Sequence, residues 1–128
     1  MKFSFIKPVY AHCDLPCGVY DPAQARIEAQ SVHEIQKKYA NLDHEEDRWR
    51  AVLIKEHRAD LVKQHLWVLW TDYFKPEHLE KFPDLHEKFW QATKQAGNCK
   101  KSVDPAEGQK LLDMIDDIAG IFAETKKA

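Results

Sequence analysis

The sequence has few glycines, few prolines and few cysteines, and each scarcity excludes a class of protein. Four Gly and six Pro among 128 residues are too few for a turn-rich β architecture, so the composition favours helices. Three Cys form neither an even nor a dense set, which argues against a disulfide scaffold and predicts a reducing, cytoplasmic location. No apolar run approaches the roughly 18 residues of a membrane span, so we expect no membrane partner.

The charges are almost balanced, which excludes a strong electrostatic attraction to polyanions. The sequence contains 19 Lys and Arg residues and 21 Asp and Glu residues, which gives a formal net charge of -2. We therefore expect no nucleic-acid partner. The first residues, MKFSFIKPVYA, carry a short apolar patch that Lys7 and Pro8 interrupt, unlike the longer apolar run of a secretory signal. The chain length predicts a single domain.

Four amphipathic segments separated by helix-breaking residues predict an all-α fold, an antiparallel four-helix bundle. Asp-Pro pairs open the first and last segments, since Asp caps free amides and Pro supplies the first-turn dihedral. Gly97-Asn98 is expected to end the third segment. The predicted helices cover about 22–39, 43 or 44 to 73, 83–96, and 105 onward. A short helical turn is also expected after Pro76. The last helix carries an apolar stripe formed by Leu111, Ile115, Ile118 and Phe122.

Two opposite charges interrupt the apolar stripes of the first two predicted helices. Burying either charge alone is costly, whereas pairing makes burial tolerable. We therefore expect Glu28 and Arg58 to contact each other, or both to lie near the segment before helix 1; the alternative is that both reach water at helix edges. At helical spacing Glu28 shares a face with Val32, Ile35 and Tyr39, and Arg58 shares one with Ile54, Leu61, His65 and Leu69.

The segment before the first helix, His12-Cys13-Asp14-Leu15-Pro16-Cys17, brings two thiols and an imidazole together. Pro16 and Gly18 exclude a regular helix, and a loop of this length allows both sulfurs to reach one ion. No second Cys pair completes a zinc ribbon, and the spacing is not that of a thioredoxin-like motif. A metal site is favoured; a Cys13–Cys17 disulfide and two unrelated reduced thiols are the alternatives.

The identity of the metal depends on whether the chain is cleaved before His12. With His12 internal, two thiolates and one imidazole suit zinc or copper(I). After cleavage behind Ala11, the free amine of His12, the amide nitrogen of Cys13 and the thiolates of Cys13 and Cys17 form a planar set. Square-planar geometry selects nickel(II) or copper(II). The His12 ring could then bind axially to nickel(III), which favours one-electron redox chemistry.

The run HCDLPCGVYDPAQARIEAQSV resembles the N-terminus of mature nickel-containing superoxide dismutases. The likeness continues through IKEHRADL and LWTDYFKPEH and is looser from about Lys88 onward. It implies a four-helix bundle assembled as a homohexamer, with one nickel ion per subunit. It also implies that a protease removes residues 1–11 by cleaving between Ala11 and His12, leaving a nickel-binding segment at 12–20, termed the hook, and a bundle domain at 21–128.

The same resemblance implies the nickel ligands. These are the amine and imidazole of His12, the amide nitrogen and thiolate of Cys13, and the thiolate of Cys17. Glu28 and Arg58 match the pair that orients the axial imidazole. Tyr20 matches a tyrosine whose hydroxyl lies beside the open face where superoxide approaches, and Tyr73 matches a second tyrosine that is hydrogen-bonded near it. Pro16 matches a cis proline that shapes the hook, and Asp14 matches a residue that helps to hold the hook.

The predicted activity is the disproportionation of superoxide. Nickel would alternate between nickel(III) and nickel(II), oxidising one superoxide to dioxygen and reducing the next to hydrogen peroxide with two protons. The uncleaved chain should be inactive, because the nitrogen of His12 is then an amide. Two alternatives are a nickel or copper chaperone or sensor without turnover, and a helical assembly module whose N-terminal arm is closed by a disulfide.

The other aromatic and sulfur-containing residues suggest no second site. The remaining histidines are interpreted as packed or solvated rather than as ligands. The four tryptophans are expected in the core or between subunits, because a bundle of this size cannot easily cover them alone. Cys99 has no role that its position in the sequence indicates. The tryptophans are Trp49, Trp67, Trp70 and Trp90.

Overall fold

The computed structural model describes residues 18–127, and these residues form helices joined by short connections. No β-strand occurs among them, and in the same range no helix is both long enough and apolar enough to cross a membrane. The helices are α1 (Ala23–Tyr39), α2 (Glu45–Val68), α3 (Pro76–Lys81), α4 (Leu85–Lys101) and α5 (Pro105–Lys126), and a π-helical turn (Leu69–Tyr73) continues α2.

The four long helices pack as a closed ring in which α1 and α4 each contact both α2 and α5. Arg26, early in α1, contacts Asp116, late in α5, whereas His33 contacts Pro105 at the start of α5, so these two helices run antiparallel. Side-chain pairs between α2 and α4 and between α4 and α5 follow the same reversed order. The predicted antiparallel four-helix bundle is confirmed.

The core follows the predicted stripe in α5 but not in α2. Leu111, Ile115 and Ile118 are fully buried, as predicted. In α2 the buried face is displaced by one residue, since Ile54 is 45% exposed and its neighbour Lys55 is buried. The predicted face of α2 is wrong because apolar residues lie on both sides of this helix, and alanines provide much of its packed side. The buried residues of α2 are Ala51, Lys55, Ala59, Val62 and Leu66.

Helix α4 continues through Gly97 and Asn98, where the sequence predicted its end. The reason lies on α2: the ammonium group of Lys55 donates to the carbonyl oxygens of Cys99 at 2.7 Å and Lys100 at 2.6 Å. Carbonyl groups in the last turn of a helix have no partner within the helix, and a positive charge is favourable there. Lys55 therefore stabilises the last turn of α4.

The π-helical turn at the end of α2 sets the position of Tyr73. The amide of Phe74 donates to the carbonyl oxygen of Leu69, five residues earlier, at 3.1 Å. Such turns fit one extra residue into a helix and are frequent at functional sites. The ring centroid of Tyr73 lies 4.6 Å from that of Phe122, so the end of α2 is joined to the last turns of α5.

Candidate metal centre

The described part of the chain begins directly after the predicted nickel ligands. Gly18 has a φ of 71°, in the left-handed region that glycine adopts without strain. Asp21 accepts the amide of Ala23 at 2.8 Å and so caps α1, as the sequence predicted. Residues 18–22 therefore lead directly into α1. Several predicted site residues lie outside the described residues. These are the nickel ligands His12, Cys13 and Cys17, the hook-shaping residues Asp14 and Pro16, and Ala11 at the cleavage position.

Glu28 on α1 and Arg58 on α2 form an ion pair, in which Nη1 of Arg58 donates to Oε2 of Glu28 at 2.8 Å. The predicted contact between these residues is confirmed. Their side chains are 13% and 40% exposed respectively, so both lie at the edge of the buried faces. A carboxylate offers about four acceptor positions. Glu28 therefore retains the capacity to accept a hydrogen bond from an imidazole N–H while Arg58 holds its other oxygen.

Tyr20 and Tyr73, the two tyrosines predicted at the open face, lie side by side. Their ring centroids are 5.7 Å apart with the planes inclined by 53°. Both rings are half-buried and pack against the core. The structure thus brings together Tyr20, the last residue of the hook, and Tyr73, the last residue of the π-helical turn.

Two residues of α5 that no sequence pattern indicates, Thr125 and Lys126, also contact Tyr73. Oγ1 of Thr125 lies 2.6 Å from the Tyr73 hydroxyl oxygen, and Nζ of Lys126 lies 5.0 Å from the centroid of the Tyr73 ring. A lysine near a helix end is ordinary, and a single threonine carries no periodic signal. Only the packing of α5 on the π-helical turn identifies these neighbours.

The donors that suit nickel are those of the hook. Two thiolates, together with an amide nitrogen and the amine that cleavage before His12 would expose, would suit nickel(II). Within residues 18–127, no group of three or more His, Cys, Asp or Glu is arranged to hold a metal ion. Cys99 is fully buried, and burial raises the pKa of its thiol to about 11. Since the thiolate is the ligand form, a thiol this basic binds metal poorly near neutral pH.

Comparison with known proteins identifies relatives along nearly the whole chain. The family model of nickel-containing superoxide dismutases matches residues 7–126. The protein named superoxide dismutase [Ni] from Streptomyces seoulensis is 60% identical over 120 residues, which cover 94% of this chain and 92% of that protein. The protein of the same name from Streptomyces coelicolor is 58% identical with the same coverage.

The fold agrees with these sequence matches. A solved native structure of nickel superoxide dismutase aligns with a TM-score of 0.89 at 58% identity, covering 91% of this chain and 100% of that chain. The predicted enzyme class and nickel cofactor are those of the matched family. The chain belongs to the nickel-containing superoxide dismutase family.

Proposed function

We propose that this chain, once cleaved between Ala11 and His12, disproportionates superoxide at a nickel ion bound by His12, Cys13 and Cys17. The observation that supports this site most directly is the ion pair of Glu28 and Arg58 at 2.8 Å. It joins the helix that follows the hook to its neighbour, and it provides a carboxylate that would orient the imidazole of His12. The donor set of the hook supports nickel rather than zinc.

The residues of the chain orient the site, and nickel, when bound, supplies one-electron chemistry by alternating between nickel(II) and nickel(III). Glu28 would accept the free ring N–H of His12 and so set the tautomer and direction of the imidazole. Arg58 holds the Glu28 carboxylate in place. Asp14 and Pro16 would shape the hook. Two superoxide ions and two protons yield one dioxygen and one hydrogen peroxide, and Tyr20 borders the face that superoxide approaches, with Tyr73 beside it.

The test compares three forms of the N-terminus: the full chain, a chain starting at His12, and a chain with one extra Ala before His12. Each is loaded with nickel, and its nickel content and rate of superoxide loss are measured. We expect activity only in the form that starts at His12, because only there is the backbone nitrogen of His12 a free amine with a lone pair; in the other two forms it is an amide.

Each other outcome contradicts a defined part of the proposal. Equal activity in all three forms would exclude the amine as a ligand. Stoichiometric nickel without turnover in the form that starts at His12 would favour a chaperone or sensor. Absence of bound nickel, together with a Cys13–Cys17 disulfide under reducing preparation, would favour the helical assembly module.

We also propose that the chain assembles as a homohexamer in the cytoplasm. Trp49 and Leu53 on α2 are 65% and 66% exposed in the single chain, next to the exposed Ile54. A groove of about 240 Å³ beside Ile54 is lined by Ile35 and Leu42 among others. Contiguous apolar surface of this kind commonly marks a protein interface. Trp67 and Trp90 expose further aromatic surface.

Light scattering of the nickel-loaded, cleaved protein tests the assembly. A hexamer is expected, and a stable monomer would contradict it. Leu53→Lys should weaken the assembly, because it places a charge on the apolar surface. Gln64→Lys, at an exposed position of the same helix, serves as the control and should leave the mass unchanged.

A further inference from the structure

A directed chain of hydroxyl groups leads from Tyr73 to the backbone of α5. The hydroxyl oxygen of Tyr73 lies 2.6 Å from Oγ1 of Thr125, and Oγ1 of Thr125 lies 2.6 Å from the carbonyl oxygen of Phe122. A carbonyl oxygen can only accept, so Thr125 donates its single hydroxyl proton to Phe122. In its contact with Tyr73, Thr125 must then accept, and Tyr73 is the donor.

The direction of this chain decides what Tyr73 presents to its surroundings. A phenol has one proton and accepts through its oxygen lone pairs. Because Thr125 engages that proton, the Tyr73 oxygen is left as an acceptor. The Tyr20 ring lies beside the Tyr73 ring, with the ring centroids 5.7 Å apart. In this arrangement Tyr73 does not supply a proton towards Tyr20.

The ring of Tyr73 is held by contacts that do not involve Thr125. Its centroid lies 4.6 Å from the ring of Phe122, 5.0 Å from that of Phe74 and 5.8 Å from that of His78. These partners come from α5, from the residue after the π-helical turn, and from α3. Removing the Thr125 hydroxyl should therefore leave the ring in place and change only where the phenol proton points.

We propose that Thr125 is a positioning residue of the dismutase site: it takes the proton of Tyr73, whose ring lies beside that of Tyr20, and thereby keeps the Tyr73 oxygen a hydrogen-bond acceptor. This inference rests on the proposed function, in which Tyr20 and Tyr73 border the face that superoxide approaches. Thr125 itself acts through Tyr73 and touches neither metal nor substrate in this scheme.

The first experiment measures the hydrogen bonding of Tyr73 without nickel. Ultraviolet Raman spectra of the cleaved, nickel-free protein are recorded before and after Tyr73→Phe, and their difference isolates the Tyr73 phenol. Thr125→Val should change this difference spectrum, and Thr125→Ser, which keeps a hydroxyl, should restore it. Thr71→Val is the matched control, since the Thr71 hydroxyl also donates to a backbone carbonyl, that of Trp67, at 2.7 Å. An unchanged Tyr73 spectrum in Thr125→Val would overturn the proposal.

The second experiment measures superoxide loss in nickel-loaded, cleaved protein as a double-mutant cycle. Thr125→Val should lower activity about two- to tenfold, the range expected for one neutral hydrogen bond. In the Tyr73→Phe background, Thr125→Val should change the activity by less than about twofold, because the Tyr73 hydroxyl through which Thr125 acts is then absent. An equal loss in both backgrounds would show a merely structural role and overturn the proposal. Inactive parent protein would refute the proposed function, whereas the Raman comparison would still test Thr125.

Discussion

The ammonium nitrogen of Lys55 lies 2.7 Å from the carbonyl oxygen of Cys99, and this contact joins the middle of α2 to the end of α4. Lys55 is only 1% exposed, and burial lowers the pKa of its ammonium group. A buried charge is tolerated when it is hydrogen-bonded. Donation to Cys99 and Lys100 meets this condition and satisfies carbonyls that the helix itself leaves without partners.

Lys55→Met should destabilise the protein by about 2 kcal/mol or more, because two carbonyl groups at the end of α4, one buried and one half-buried, lose their donor. Lys63→Met is the control on the same helix: Lys63 lies over Gly97 at a half-buried position, and its loss should cost less than about 0.5 kcal/mol. Urea unfolding of nickel-free protein measures both changes. Equal effects of the two substitutions would contradict the capping role of Lys55.

Cys99 should make the protein less stable in alkaline solution. Burial raises the pKa of its thiol from 9.0 to about 11, so between these values the unfolded chain loses a proton that the folded chain keeps. The stability from this group is complete below pH 9 and is lost as the pH rises towards 11. We expect the unfolding free energy of the parent to fall relative to Cys99→Ala by about 2 kcal/mol over this range.

The comparison with Cys99→Ala cancels the groups that titrate independently of Cys99, while the charge interaction between Cys99 and Lys55 is part of the measured difference. Lys55 contributes with the opposite sign, because burial lowers its pKa, and it is present in both proteins, as are Cys13 and Cys17. Urea titrations in reductant at several pH values give the difference directly. A difference that stays constant from pH 8.5 to 11 would contradict the burial of a protonated thiol.

The two glycines of α5 should respond in opposite directions to alanine. A Cβ at Gly108 would lie 2.3 Å from Oε1 of Gln36 and 2.9 Å from Cα of His33, whereas a Cβ at Gly120 meets nothing within 4 Å. Gly108→Ala should therefore destabilise by about 1–3 kcal/mol through overpacking. Gly120→Ala should stabilise by about 0.5–1 kcal/mol through helix propensity. Thermal unfolding distinguishes them, and shifts of the same sign would refute the close approach at Gly108.

Glu28→Gln should lower nickel-dependent activity about 10- to 100-fold, as expected when the carboxylate that orients a metal-bound imidazole is lost. The matched control is Asp116→Asn, which breaks the exposed ion pair with Arg26 at 2.7 Å. Exposed pairs contribute little, so this control should stay within about twofold of the parent. Superoxide assays with nickel analysis test both. Parental activity in Glu28→Gln would remove Glu28 from the site.

Sequence periodicity identified Glu28 and Arg58 although it misplaced one of the two helix faces. In α1, Val32 is buried as expected, while Ile35 and Tyr39 are half-buried. In α2 the true core face passes through Lys55, one position from Ile54. The predicted contact between Glu28 and Arg58 was still confirmed, because opposite charges at neighbouring edges of two antiparallel helices can meet without either being central to the core. Thr125 could not be found in this way, since its role depends on a contact between α5 and the π-helical turn.

The sequence alone determined the family, through the residue types and spacing of the hook, and the helical segments, through capping residues, prolines and apolar periodicity. These properties are local: each depends on residues within a few turns of one another. Tertiary structure alone decided where α4 ends, which face of α2 is buried and how the Tyr73 hydroxyl is directed. Each of these depends on a partner far away in the chain, such as Lys55 for α4 or Thr125 for Tyr73, and long-range contacts of this kind leave no periodic trace in a single sequence.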